Sequence, residues 1–475
     1  MNLNQEHLIF RVKGRSHLSI EEIFMTSLPQ VAPRIAKLTA LSIGVALLAT
    51  ACGGSSTPSS SGSGSASAQA GGISCPAPSA TGGATSSAGA AGSVPASSTT
   101  TETPLKLGSL LPTTGSLAFL GPPEIAGVNL GIKEINDAGG VLGKPVEVIH
   151  RDSGDTKTDI ATQSTSALLG QGVSAIVGAA SSGVSKTVIN QITGAGVIQF
   201  SPANTSPDFT TWDDKGLYWR TAPSDVLQGK VLGNYMTTCG AQTVGMIVLN
   251  DAYGTGLAKN VQAAVEAAGG KVVAQELFNE GDSQFSSQVD KVLAAKPDAI
   301  ALITFDQAKS IVPLMTGKGV KPTQIFMVDG NMSDYSKDFK PGTLKGAQGT
   351  IPGTFAKDDF KKKLLAIDPA LKDYSYAGES YDAVNLIALA AEEAKSTKGV
   401  DIAKHLKDVS EGGEKCNNFA SCVTLLRNGK DIDYDGQSGP VTFSDAGDPT
   451  EAYIGIYEFQ DDNTYKPVKE EFGKL

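Results

Sequence analysis

Short apolar runs alternate with amphipathic segments of helical period along most of the 475-residue chain. The pattern predicts a first series of buried strands, at 105–111, 146–150, 175–178 and 197–201. Apolar residues at helical spacing predict helices near 125–135 and over 158–169.

The alternation resumes in the second half of the chain. It predicts a helix over 256–268 and further strands at 244–249, 271–277, 299–304 and 325–328. Buried strands that alternate with helices form parallel sheets covered on both faces. The fold class we predict is therefore α/β, with two doubly wound lobes.

The N-terminal region has a different composition. The mostly apolar stretch 35–51 follows Arg34, is too short to span a bilayer, and ends in L-A-T-A-C. We predict a signal peptide over 1–51, with Met25 as an alternative start. The ending resembles a bacterial lipobox, which implies a lipid on Cys52. Residues 52–103 are nearly all Ser, Gly, Ala, Thr and Pro, which predicts a disordered tether.

Four further cysteines suggest disulfides in a secreted context. Cys416 and Cys422 bracket a short polar loop and are spaced to close a small ring, with a metal site or two free thiols as the alternatives. Cys75 lies in the tether and is either a free thiol or the partner of Cys239.

Charge and motifs argue against several functions. The formal net charge of −10 disfavours nucleic-acid binding. The G-T-G-L-A-K run at 254–259 lacks the third glycine of a dinucleotide fingerprint. Only His150 and His405 follow the signal peptide, and we expect His150 to be structural. We predict no catalytic residues, no cofactor and no metal.

Three loops at predicted strand ends are candidates for ligand binding, because ligands of doubly wound sheets lie beyond the carboxyl ends of the strands. In 177–185, backbone N–H groups with the Ser181 and Ser182 hydroxyls suit a carboxylate, although plain N-capping is the alternative. The loop 201–207, S-P-A-N-T-S-P, is expected to be rigid and to offer exposed carbonyls and a hydroxyl. The third, 250–256, places Tyr253 in a glycine-rich turn.

Taken in order, these segments resemble the type I periplasmic binding proteins of the branched-chain amino acid (leucine/isoleucine/valine) importer family. The resemblance covers about 105–466 and rests on G-V-N-L-G-I-K-E-I-N-D-A-G-G-V-L-G-K-P-V, the serine loop, F-S-P-A-N-T-S-P, Y-G-T-G and D-Y-D-G-Q-S-G-P-V-T-F-S-D-A-G-D. It implies a Venus-flytrap with three crossovers between the lobes. Lobe 1 would comprise 104–224 and 352–439, and lobe 2 would comprise 225–351 and 440–475.

The resemblance also implies roles for individual residues. Ser182 and Thr205 would hold the ligand carboxylate and amine, and the carbonyl of Ala203 would accept from the ammonium. Tyr253 would close the site from the other lobe, and Asp329 would neutralise the ammonium.

Two departures from the family pattern widen the range of ligands. Phe119 and Leu120 stand where relatives often carry a polar-tipped aromatic residue. Around Phe305 and Asp306 the family's tyrosine of the second lobe has no counterpart. Besides a branched-chain or related amino acid, an amide, a urea-like solute or an aromatic acid is therefore a candidate ligand.

The function that the resemblance implies is that of an extracytoplasmic solute-binding lipoprotein. It would be anchored to the outer face of the cell membrane through Cys52. It would capture an amino-acid-like ligand as a monomer and deliver it to the permease of an ABC importer. The alternatives are a ligand sensor of the same fold and an extracytoplasmic enzyme, and the shortage of nucleophile–base pairs disfavours the enzyme.

Overall fold

Two sheets organise the part of the chain that the computed structural model describes, residues 73–76 and 94–475. The predicted signal peptide, the lipidation site at Cys52 and most of the tether lie outside the described residues. Among the described residues, no helix combines the length and the apolar character needed to cross a bilayer.

The first sheet is entirely parallel and forms the base of lobe 1. Its strands run in the order β2-β1-β3-β4-β5. They are β1 (Lys106–Leu111), β2 (Glu147–Asp152), β3 (Ala175–Gly178), β4 (Ile198–Ser201) and β5 (Tyr218–Arg220). The helices that connect them are α1 (Gly121–Asp137), α2 (Ile160–Gly170) and α3 (Ser182–Gly194). Helix α1 has prolines in its first turn and ends before Gly139 and Gly140, both at positive φ, as its sequence signals predict.

The second sheet is mixed and forms the base of lobe 2. Its order is β14-β13-β10-β9-β8-β6-β7. The strands are β6 (Thr243–Leu249), β7 (Lys271–Phe278), β8 (Ala299–Ile303), β9 (Ile325–Val328), β10 (Gln348–Pro352), β13 (Glu451–Phe459) and β14 (Tyr465–Lys474), and β13 and β14 run antiparallel. Its helices are α4 (Asp225–Thr238), α5 (Ala252–Ala267), α6 (Ser286–Ala294) and α7 (Ala308–Gly317).

The remaining elements return the chain to lobe 1 between β10 and β13. They are α8 (Asp358–Ile367), α9 (Ala377–Ala394), α10 (Gly399–Ile402), α11 (Phe419–Arg427) and a small sheet of β11 (Glu414–Cys416) and β12 (Ile432–Tyr434). The chain thus passes between the two sheets three times: after β5, after β10 and before β13. This confirms the predicted two-lobed α/β fold with three crossovers. Val441 and Phe443 pack in the core of the first sheet, and the exact lobe limits stay a prediction.

Two disulfide bonds join the cysteines in the pairs that the sequence suggested. Cys416 is bonded to Cys422 across the end of β11, and Cys75 is bonded to Cys239 at the end of α4. The segment at 73–76 is therefore fixed to lobe 2, whereas Val94 packs against the core of lobe 1.

Candidate functional site

A small cavity lies between the lobes, at the carboxyl ends of strands from both sheets. Its lining residues are Leu117, Leu120, Ala180, Ser181, Ser182, Ala203, Tyr253, Phe305, Asp329, Gly330 and Tyr376. Seven of the nine predicted ligand-binding residues are in this set. We call this space the interlobe cavity. Its volume of ≈ 10 Å³ is about that needed for one water molecule, so a larger ligand requires the lobes to separate.

The N-terminus of helix α3 forms the lobe 1 wall. The Ser181 side chain accepts a hydrogen bond from the N–H of Val184 at 3.3 Å, so this serine does cap the helix. The Ser182 hydroxyl accepts from the N–H of Ser206 at 3.3 Å and keeps its own proton for a ligand. Unpaired N–H groups and the helix dipole make this end attractive to an anion such as a carboxylate.

The loop after β4 is fixed from below by a buried ion pair. Arg220 is fully buried and donates to the carbonyls of Asn204 (3.2 Å) and Ser206 (2.8 Å) while pairing with Asp448 at 2.6 Å. Ala203 in this loop lines the cavity. Thr205 does not line it, although its buried hydroxyl has no hydrogen-bond partner.

Asp329 provides the negative charge of lobe 2, directly after β9. Its carboxylate accepts from the Tyr253 hydroxyl at 2.7 Å, the Gln228 amide at 2.8 Å and the Tyr376 hydroxyl at 2.6 Å. Burial raises the pKa of Asp329, and these three donors oppose the rise. Since Tyr376 precedes α9 in lobe 1, its bond to Asp329 joins the two lobes across the cavity.

Tyr253 lies in the first turn of helix α5, where the sequence predicted a glycine-rich turn. That prediction was wrong because the helix begins at Ala252 and not at 256. Asp251 caps the helix, accepting from the N–H of Gly254 at 2.7 Å. The Tyr253 ring stacks on Phe305 with centroids 5.4 Å apart, so the two aromatic residues form one wall.

Several residues around the cavity escaped the sequence-based prediction. Tyr376 has a left-handed backbone with φ of 58°, for which a tyrosine gives no sequence signal. Gln228 lies on α4 and reaches Asp329 from a distant part of the sequence. Leu117, in contrast, lies three residues before the predicted Leu120 in the same loop.

Phe119 is the other predicted residue outside the lining. It is partly buried and packs against the hydrophobic core beside the cavity. Leu120, its neighbour, lines the cavity itself.

The lobes also meet at Glu280, which does not line the interlobe cavity. Glu280 of lobe 2 accepts from the Ser116 hydroxyl at 2.6 Å and from the Thr156 hydroxyl, both in lobe 1. Together with the bond between Tyr376 and Asp329, these contacts define a closed conformation.

The groups around the cavity are suited to binding a ligand. His150 is structural, with its ring nitrogens 2.6 Å from the Ser109 hydroxyl and 2.9 Å from the Asn129 side chain, away from the cavity lining. Across 73–76 and 94–475, no group of three or more His, Cys, Asp or Glu side chains is arranged to hold a metal ion.

Comparison with known proteins yields a consistent set of relatives. The family model described as "Periplasmic binding protein" matches residues 104–451. The leucine-, isoleucine-, valine-, threonine- and alanine-binding protein of Pseudomonas aeruginosa is 27% identical over 381 residues, which cover 77% of this chain and 92% of the relative. The chemotactic signal transduction system substrate-binding protein BasB of Halobacterium salinarum is 25% identical, covering 74% of this chain and 86% of the relative.

A solved structure of a substrate-binding protein is also similar to this chain. The branched-chain amino acid transporter substrate-binding protein LivJ of Streptococcus pneumoniae, in complex with isoleucine, superposes with a TM-score of 0.64 at 26% identity. The match covers 78% of this chain and all of LivJ.

Proposed function

Because this chain belongs to the periplasmic binding protein family, we propose that it captures a small α-amino acid between its lobes and delivers it to the permease of an ABC importer. It is an extracytoplasmic solute-binding protein of the branched-chain amino acid type, and the family is not enzymatic.

One observation carries the proposed ligand class: the interlobe cavity is polarised. The N-terminus of α3 with Ser182 lies on the lobe 1 side, and the Asp329 carboxylate lies on the lobe 2 side. A zwitterionic α-amino acid matches this arrangement, with its carboxylate at the helix and its ammonium at Asp329.

The rest of the lining favours an apolar side chain on the ligand. Leu117, Leu120 and Phe305 are buried and contribute apolar surface. The names of the Pseudomonas and Streptococcus relatives point to branched-chain and other small amino acids. We therefore expect valine, leucine, isoleucine, alanine or threonine to be the ligand.

A thermal-shift panel tests this proposal. The secreted, disulfide-bonded protein is partly unfolded, dialysed to remove carried-over ligand, refolded and melted with each proteinogenic amino acid, short amides, urea and aromatic acids. We expect a large stabilisation by one or a few of these five amino acids, because a ligand that binds only the native state raises its stability. Stabilisation by an amide or an aromatic acid alone would contradict the amino-acid assignment.

Two variants locate the ligand within the protein. Asp329→Asn and Ser182→Ala should each abolish most of the shift. Asp461→Asn is the matched control, because Asp461 forms an exposed ion pair with Lys345 and does not line the cavity. If the ligand shifted the melting temperatures of Asp329→Asn and Asp461→Asn equally, Asp329 would not be part of the ligand site.

Anchoring through Cys52 is a second part of the proposal. The L-A-T-A-C sequence that supports it lies outside the described residues. We expect the full chain expressed in a bacterium to fractionate with membranes and into detergent, and Cys52→Ser to be released as a water-soluble protein. A Cys52→Ser variant that stays in the membrane fraction would rule out a lipid on this residue. We also propose that the protein is a monomer, which light scattering checks.

A sensor of the same fold is the second candidate function, and the relative BasB is the observation that favours it. Deletion of the gene separates the two. Loss of uptake of the identified ligand supports import, whereas normal uptake with a lost behavioural or transcriptional response supports sensing.

A further inference from the structure

A second and much larger cavity lies beside the crossover that follows β10. Its volume is ≈ 290 Å³, and it is lined by that crossover at Phe355, by Tyr457 and Tyr465 of lobe 2, and by Tyr374 and Glu379 of lobe 1. We call it the crossover pocket. Tyr376 lines both this pocket and the interlobe cavity and so separates them.

Aromatic rings form much of the wall of the crossover pocket. Phe355 meets Tyr457 edge to face at 5.1 Å, and Tyr457 meets Tyr465 in the same way at 5.4 Å. A protein cation already uses one ring of the lining, since the Lys361 ammonium lies 5.5 Å from the Tyr374 ring centroid. Such rings attract a cation to their faces and an apolar group to their surface.

A buried carboxyl group faces the same space. Glu379 is only 5% exposed and lines the pocket. Its own backbone N–H donates to its carboxyl, and no side chain of residues 73–76 and 94–475 donates a hydrogen bond to it. Burial raises the pKa of Glu379 to about 8. A buried carboxyl with so few donors is unfavourable as an anion, and a cationic donor relieves this cost.

The backbone of the crossover passes close to this carboxyl at a position whose conformation favours glycine. Gly353 has φ of 94°, and a Cβ at this position would meet the Glu379 carboxyl. The crossover and Glu379 are therefore in contact beside the pocket.

Two other charged residues of the lining, Asp373 and Lys372, differ from Glu379 in being hydrogen-bonded or exposed. Asp373, also in the lining, accepts from the N–H of Ser375 at 2.8 Å and from the Tyr465 hydroxyl at 2.9 Å, so its oxygens already have partners. Lys372 is an exposed residue of the lining. The buried part of the pocket is therefore acidic and aromatic.

We propose that the crossover pocket binds a small organic amine, whose ammonium group pairs with Glu379 and whose aromatic or branched apolar body lies against Phe355, Tyr457 and Tyr465. The site is distinct from the interlobe cavity and goes beyond the proposed capture of an amino acid. Its walls come from both lobes.

Isothermal titration of the disulfide-bonded wild-type protein tests the proposal, with phenethylamine and tryptamine as probes at pH 8.5. At that pH most of the Glu379 carboxyl is ionised, and an alkyl ammonium still carries its proton. We expect saturable binding of one amine per chain, with 2-phenylethanol, which lacks the charge, at least tenfold weaker. Absence of saturable amine binding, or equal binding of the alcohol, would overturn the proposal, and this comparison needs no variant to fold.

Variants then place the amine within the chain. Glu379→Gln and Phe355→Ala should each weaken amine binding at least tenfold. Phe472→Ala, which removes an exposed ring outside the pocket lining, should leave it unchanged. If Glu379→Gln and Phe472→Ala bind the amine equally well, the pocket is not its site.

The Asp329→Asn variant distinguishes amine binding in the crossover pocket from amino-acid binding in the interlobe cavity. The variant should lose amino-acid binding and retain amine binding. An amine that competes with the amino acid and is lost together with it in Asp329→Asn would belong to the interlobe cavity and would contradict a second site.

Discussion

At the scale of single residues, Asp329 connects the lobes through hydroxyl groups. It accepts from Tyr253 on its own lobe and from Tyr376 on the other. A hydrogen bond to a buried charged group contributes more than an ordinary one, because neither partner is well solvated. Closure over a ligand therefore depends on a tyrosine that lies outside every sequence motif considered.

The Tyr376 hydroxyl should contribute to the affinity for the amino acid through its bond to Asp329. Tyr376→Phe keeps the ring and removes the bond to Asp329, which forms when the lobes are closed. A loss of about 1.5 kcal/mol lowers the affinity for the amino acid roughly tenfold. Titration calorimetry measures it.

Tyr381→Phe is the matched control for this prediction. Tyr381 lies on α9 and donates to Glu134 of α1 at 2.5 Å, within lobe 1. This variant should lower stability without changing affinity. Equal affinities of the two variants would show that the bond to Asp329 has no role in closure.

The raised pKa of Glu379 predicts a pH dependence of stability. The folded-state pKa of about 8 exceeds the ordinary value of 4.5. The folded protein therefore binds a proton that the unfolded chain has released, and stability falls as the pH rises from about 5 through 8. Glu379→Gln removes this loss, so the variant should gain on the order of 3 kcal/mol at pH 8.5 and little at pH 5.

Urea unfolding at the two pH values measures this gain. Glu266→Gln, an exposed glutamate on α5, is the control and should change neither value. A gain for Glu379→Gln that is the same at pH 5 and pH 8.5 would show that Glu379 has an ordinary pKa.

At the scale of elements, the strands followed from the sequence more closely than the helix starts did. The predicted strands at 175–178 and 325–328 have the bounds of β3 and β9. Continuous apolar runs mark strands that are buried on both faces, and this signal is local. The start of α5 was placed four residues too late, although Asp251, a favoured capping residue, precedes it.

The candidate site could be predicted only where its residues lie at strand ends. Ser182, Tyr253 and Asp329 each follow a predicted strand, so topology alone brings them together. Tyr376 and Gln228 come from a loop and a helix of other segments. Their contribution depends on tertiary packing between the lobes, which leaves no mark in the local sequence.

The Asp251 cap of helix α5 should contribute to both the stability of the protein and its affinity for the amino acid. Asp251→Ala removes the bond to the Gly254 N–H, which should cost about 1 kcal/mol of stability. Because Tyr253 lies in the freed first turn, the affinity for the amino acid should fall as well. Thermal melts and titration calorimetry measure the two effects.

Asn418→Ala serves as the comparison, since Asn418 caps α11 through the N–H of Ser421 at 3.0 Å, in an element outside the interlobe cavity. It should cost similar stability and leave affinity unchanged. An Asp251→Ala variant with unaltered affinity would mean that the cap does not position Tyr253.

At the scale of the whole molecule, the two lobes are joined by more than the three crossovers. The disulfide between Cys75 and Cys239 fixes the N-terminal segment to lobe 2, and Arg427 of lobe 1 donates to the carbonyl of Pro95 at 2.9 Å. The same N-terminal region thus contacts both lobes.

Removal of this disulfide should destabilise the protein. The bond joins residues 164 positions apart, and loss of such a cross-link typically costs about 2–4 kcal/mol, largely through the unfolded chain. The double variant Cys75→Ser/Cys239→Ser should melt at a lower temperature than the wild type. The bond between Cys416 and Cys422 closes a much shorter loop, so Cys416→Ser/Cys422→Ser should lose less stability. The opposite ranking would show that the N-terminal disulfide does not constrain the fold.

The most direct test of the proposed function is the crystal structure of the complex with the amino acid that gives the largest thermal shift. We expect the ligand to lie in the interlobe cavity, with its ammonium within hydrogen-bond distance of Asp329 and its carboxylate at Ser182 and the N-terminus of α3. A ligand bound in the reverse orientation, or located elsewhere on the protein, would contradict it.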